Sequence, residues 1–157
     1  MSDIDRNLFV SHKHEDDDKV VRLKENLGSR DYNVRDYSVT KDNPNKAHNE
    51  DYIKREILKP RLDASSVLVV IVTPDTKNSD YVDWEIEYAA KHNKRIVGVW
   101  GHGSKDCELP EALEDNYDSL VAWDTDKIIR AIEGENFNEE EDGRKRPYKK
   151  MKPAPCT

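Results

Sequence analysis

The chain has 157 residues, 35% hydrophobic and 38% charged, with a formal net charge of −7. That length holds one domain with its own core, and the acidic balance argues against nucleic acid or a membrane surface as partner. No apolar run approaches the ~20 residues that span a bilayer, and Cys107 and Cys156 lie too far apart to suggest a disulfide framework or a zinc site.

Asn7-Leu8-Phe9-Val10 predicts a short first strand, ended by Ser11-His12-Lys13-His14. Asp16 to Leu27 predicts a helix. Acidic residues at its start suit the helix dipole, Val20, Leu23 and Leu27 share a face, and Gly28 stops it. Tyr32 to Tyr37 reads as a second strand, polar enough for a sheet edge. Ser38 to Asn49 has no periodicity and is a long loop, a class of segment that often carries function. Glu50 to Lys59 predicts a helix with Ile53 and Ile57 inward, closed by Pro60. Val67-Leu68-Val69-Val70-Ile71-Val72 is a continuous β-branched run, the mark of a strand buried on both faces of a parallel sheet. Thr73-Pro74-Asp75 ends it, and Asn78 or Ser79 caps a helix through Ala90. Arg95 to Trp100 is a fourth strand, with Gly101-His102-Gly103 the turn after it. Ser119 to Trp123 is a weaker fifth. Thr125 to Glu133, carrying Ile128, Ile129 and Ile132, is a last helix stopped by Gly134.

Strands alternating with helices imply an α/β fold, a flavodoxin-like three-layer sandwich around a five-stranded, mostly parallel sheet. The domain is expected over residues 1–135. From Asn136 the pattern is lost: an acidic run, Glu139 to Asp142, is followed by basic residues including Arg144, Lys145 and Arg146, which predicts a disordered tail over 136–157. Met1 to Arg6 has no signal-peptide pattern, and a cytoplasmic location is expected.

One position on the helix before Ala90 breaks its pattern. At about 100° per residue, Val82, Ile86 and Ala89 share the core face, while Tyr81, Glu85 and Tyr88 stack along its flank. Glu85 is thus expected on the border of the buried face, half out of water, and Glu87 away from it. A carboxylate there is either half of an ion pair or a functional group. The helix starts at the carboxyl edge of the sheet, where open α/β sheets bind ligands.

Other chemistries find little support. GxGxxG and GxxxxGK[ST] patterns are absent. His12 and His14 could face one side of an extended turn, but no further histidine completes a metal site, and none is expected. Ser11 and His12 are adjacent on a strand and point to opposite faces, so they form no catalytic pair. The strand ends lack the phospho-accepting Asp of a receiver domain.

Leu8-Phe9-Val10-Ser11-His12, the strand Val67 to Val72, and Ser79-x-Tyr81-Val82-x-x-Glu85-Ile86 together resemble a TIR domain, of the bacterial TIR-like subgroup of Thoeris anti-phage systems. The resemblance covers about residues 7 to 133. TIR enzymes carry a Ser-x-Trp-x-x-x-Glu-like pattern at this helix, and here Tyr81 stands in the Trp position. The resemblance implies cleavage of the nicotinamide–ribose bond of NAD⁺, with NAD⁺ as substrate and no further cofactor. It makes Glu85 the catalytic residue and Ser11, His12, Asp36, Tyr37 and Tyr81 the substrate-binding positions. It also implies a cyclic or conjugated ADP-ribose signal read by a separate effector protein, and self-association through TIR surfaces. The alternative is a non-catalytic TIR-like scaffold acting by self-association.

Overall fold

The structure, a computed structural model, describes residues 8–12, 17–28, 34–37, 59–74, 76, 80–101, 109–140 and 143–145. Its elements in chain order are β1 (Leu8–Ser11), α1 (Asp17–Gly28), β2 (Val34–Tyr37), α2 (Lys59–Asp63), β3 (Val67–Val72), α3 (Asp80–Lys91), β4 (Arg95–Trp100), α4 (Glu111–Asn116), β5 (Ser119–Val121) and α5 (Thr125–Ile132). The five strands form one sheet in the order β2-β1-β3-β4-β5, every neighbouring pair parallel. This is the three-layer α/β sandwich expected from the strand–helix alternation.

Side-chain alternation divides the core in two. Leu8 and Val10 of β1, with Val67, Val69 and Ile71 of β3, face α1 and α5, whose Leu23, Leu27, Ile128, Ala131 and Ile132 complete that layer. Phe9, Leu68, Val70 and Val72 face the other way, onto Leu62, Val82, Ile86, Ala89 and Leu113 from α2, α3 and α4. All six residues of β3 are buried. Their burial contributes on the order of 10 kcal/mol as an upper estimate, making β3 the rail on which the rest is hung. Gly98 of β4 lets α4 approach: a Cβ there would meet Leu120 Cδ1 at 2.8 Å and Leu113 Cδ2 at 3.3 Å.

The helices end for local reasons. Asn93 adopts the left-handed conformation at φ 59°. Lys94 then returns its N–H to Ala89 O at 2.9 Å, closing α3 in the way Gly or Asn characteristically does. Asp124 caps α5, its carboxylate accepting from Lys127 N at 3.1 Å, and Gly134 takes φ 124° after the helix.

Three expectations need correction. Pro60 does not close a helix: α2 runs through it, and the Pro60 carbonyl accepts from Ala64 N at 3.1 Å. A proline in the first turn of a helical segment gives up an N–H that would have no partner anyway. Helix α4 was not predicted, because its six residues carry a single buried apolar side chain, Leu113, too little to print a period. The chain also stays ordered past Asn136. Leu120 donates to Phe137 O and accepts from Glu139 N, both at 2.9 Å, so this segment lies along β5. Its composition is that of a tail, but an open strand edge offers backbone partners that composition does not reveal. The predicted loop Ser38 to Asn49, the helix before Lys59, the helix cap at Asn78 or Ser79, His14, both cysteines and the residues after Lys145 lie outside the described residues.

Candidate active site

β1 stands at the topological switch point of the sheet. The helix that follows it, α1, packs on one face, and the helix that follows its neighbour β3, α3, packs on the other. The two connections diverge above the carboxyl ends of β1 and β3, which is where such sheets hold ligands.

Alternation along β1 turns Phe9 and Ser11 toward α3. Ser11 is the last residue of the strand, is 0% exposed, and donates its hydroxyl to Glu85 Oε1 at 2.5 Å. Glu85 itself is 0% exposed. The expectation of a half-solvated border position is corrected, since the flank of α3 lies against the end of β1 as well as over β3. A carboxylate so deep is tolerated only with polar partners. Glu87, two residues on, is exposed as expected.

The remaining sequence candidates fall around this pair. His12 continues from Ser11 and is 3% exposed. Tyr81, one turn before Glu85, is half-buried against the α3-side core. The backbones of Asp36 and Tyr37 stand at the carboxyl end of β2, paired with Phe9 and Val10. Their side chains lie outside what the structure describes. Tyr88, expected to flank Glu85, is committed elsewhere: its hydroxyl donates to Asp63 Oδ1 at 2.7 Å and its ring stacks on His92 at 4.0 Å. Burial, with the hydrogen bond and the charge of Asp63, pushes the phenol up to about 12. Trp84 packs beside Tyr88 with ring centroids 5.2 Å apart.

One part of the site was missed. The exit of β3 is stapled by two buried threonines. Thr76 Oγ1 accepts Thr73 N at 2.8 Å, lies 3.1 Å from Thr73 Oγ1 and donates to Ile71 O at 3.2 Å. This hydroxyl-closed turn fixes where the chain leaves the carboxyl edge toward α3. The Thr-Pro-x-Thr spacing was the available signal, since Ser and Thr close turns on their own backbone. A hollow of about 440 Å³ lined by Lys94, Arg95, Asn116 and Asp118 sits at the opposite, amino edge of the sheet and is no part of this site. Among the described residues no group of His, Cys, Asp and Glu is placed to hold a metal, and no helix is long and apolar enough to cross a membrane.

The family model of the Thoeris protein ThsB, TIR-like domain, matches residues 9–106. The match runs from within β1 to just past β4 and takes in Ser11, His12, Asp36, Tyr37, Tyr81 and Glu85. No curated protein matches the chain. With the matched span covering most of the sheet, its switch point and the Ser11–Glu85 pair, the chain belongs to the TIR-like domain family of the Thoeris protein ThsB, and so to the TIR-domain proteins of anti-phage defence.

Proposed function

We propose that this chain cleaves the nicotinamide–ribose bond of NAD⁺, with Glu85 as the catalytic carboxylate. The observation that carries the reading is the buried Glu85 carboxylate, held by Ser11 at the switch point of the sheet. The reaction suits a single carboxylate. Nicotinamide leaves from a cationic pyridinium and takes the bonding electron pair as a neutral molecule, so no acid is required. The ribose develops oxocarbenium character, as in glycoside cleavage. A fixed carboxylate beside the ribose hydroxyls orients the sugar and stabilises that charge in a site of low dielectric. Ser11 holds the carboxylate in one rotamer, and His12, Tyr81, Asp36 and Tyr37 are the positions at this edge available to contact the substrate. Because Glu85 is covered, substrate must displace what covers it, coupling turnover to an opening step.

In this reading an acceptor held on the substrate or beside it outcompetes water for the ribosyl centre, giving a cyclic or conjugated ADP-ribose signal. A separate effector protein in the same cytoplasm senses it, and self-association activates the enzyme. Complete burial of Glu85 is the one observation favouring the rival, a non-catalytic scaffold in which the pair is structural. Incubation with NAD⁺ decides between them. The unaltered chain and Glu87→Gln should release nicotinamide, and Glu85→Gln should release none. Equal release by Glu85→Gln, or none by the unaltered chain as monomer and as oligomer, would overturn the assignment.

A further inference from the structure

The polar hollow at the amino edge of the sheet is built from two turns. The turn from α3 to β4 supplies Asn93, Lys94 and Arg95 to one wall, and the turn from α4 to β5 supplies Asn116 and Asp118 to the other. Its volume of about 440 Å³ falls within the roughly 300–1,000 Å³ of small-ligand sites. Both walls are fixed. Lys94 N closes the first turn on Ala89 O at 2.9 Å. The second is tied to the start of β4, where Asp118 N donates to Ile96 O at 2.8 Å and Asp118 Oδ2 accepts from Ile96 N at 2.9 Å. The two cations of the first wall find no carboxylate. Lys94 Nζ donates to Asp63 O at 3.2 Å, while the Asp63 carboxylate takes the Tyr88 hydroxyl. Arg95 donates through Nε to Ala131 O at 2.7 Å and through Nη2 to Glu135 O and Asn136 Oδ1, while the Glu135 carboxylate is held by Arg130. Among the described residues, every side-chain acceptor of this Lys-Arg pair is therefore a neutral oxygen.

We infer that this hollow binds a small sugar phosphate, its phosphate on the Lys94–Arg95 wall and its hydroxyls toward the other. A phosphate monoester carries close to two negative charges at neutral pH, which matches the two cations. Both keep donors for it: the Lys94 ammonium has more than the one it gives Asp63 O, and Arg95 keeps Nη1. The opposite wall offers acceptors. Asn116 gives Nδ2 to Ala112 O at 2.8 Å and keeps Oδ1, and Asp118 keeps Oδ1 beside the oxygen bound to Ile96 N. Sugar hydroxyls donate to such oxygens, whereas a second phosphate would be repelled by Asp118. Asn93 adds to the first wall. At φ 59° glycine would serve the turn, yet the chain carries a side-chain amide there, and that amide makes no hydrogen bond to the described residues. The inference is independent of the chemistry at Glu85, which lies at the opposite edge of the sheet.

Titration of the isotope-labelled full chain with ribose 5-phosphate, followed by backbone amide chemical shifts, tests it. Shifts should move saturably at Asn93 to Ile96 and at Asn116 to Asp118, with half-saturation below about 1 mM at low salt and weaker binding as salt is added. The Glu85→Gln chain should give the same curve at these amides. Ribose and inorganic phosphate, each able to engage one wall only, should bind at least about tenfold more weakly. Lys94→Gln keeps the stem but not the charge and should weaken ribose 5-phosphate about tenfold. Asn93→Gly keeps the left-handed turn and should weaken it about threefold. The shift map is read on the unaltered chain, so a variant that folds poorly does not decide the outcome. Absence of shifts at the two turns, equal binding of inorganic phosphate, or a folded Lys94→Gln chain that binds as well as the original would overturn the inference.

Discussion

Ser11→Ala removes one hydroxyl from a fully buried carboxylate and nothing else of size. The hydrogen bond it breaks is 2.5 Å long and joins β1 to α3 across 74 residues of sequence. No water replaces the donor without new space, so the cost is that of a charge-assisted bond to a buried group, about 1.5–3 kcal/mol. For a chain of this size that lowers the melting temperature by roughly 3–10 °C. Glu85→Gln keeps an amide oxygen for Ser11 but loses the charge, so the bond falls to a neutral one of about 1 kcal/mol. The double variant therefore costs less than the sum of the singles, and a cycle of chemical denaturation midpoints should return a coupling of about 1 kcal/mol or more. If the proposed chemistry holds, Ser11→Ala also lowers kcat by about tenfold to a hundredfold with a smaller effect on KM, because a carboxylate freed to change rotamer is misplaced against the ribose. A Ser11→Ala chain as stable as the original, with additive cycle energies, would refute the reasoning: the pair would then be neither a structural bond nor a positioning device.

Gly98→Ala places a methyl 2.8 Å from Leu120 Cδ1 and 3.3 Å from Leu113 Cδ2, both in a packed layer, and should cost about 1–3 kcal/mol by urea denaturation. Tyr88, with its phenol raised to about 12 from the ordinary 10.0, binds its proton more tightly folded than unfolded. Its contribution is complete below pH 10 and is lost between about pH 10 and 12; Tyr88→Phe should flatten that part of the stability–pH curve, read by denaturation midpoints. Cutting the chain after Asn136 removes the residues that pair with β5 and should lower stability by roughly 1–3 kcal/mol by denaturation midpoints, ordering entropy returning part of the loss.

Much of this protein is legible locally. Val67 to Val72 and Arg95 to Trp100 are strands at the residues expected, because a β-branched run buried on both faces needs no knowledge of its neighbours. The wheel of α3 singled out Glu85 from Glu87 because helical periodicity is itself local. What sits against Glu85 is not local: Ser11 reaches it only because the β1–β3 pairing sets the end of one strand beside the helix that follows the other. The depth of Glu85 follows from the same packing, since a helical wheel ranks faces but does not say which element covers a flank. Tyr81 and Tyr88 look alike on the wheel, and only Asp63, from a different helix, draws one of them away. The segment that lies along β5 was invisible for a related reason. The stretch has no period and a tail's composition, and the pairing of residues 136–140 and 143–145 comes from the edge of a strand, the Trp100 indole and Lys127, which are brought together only when the sheet is complete.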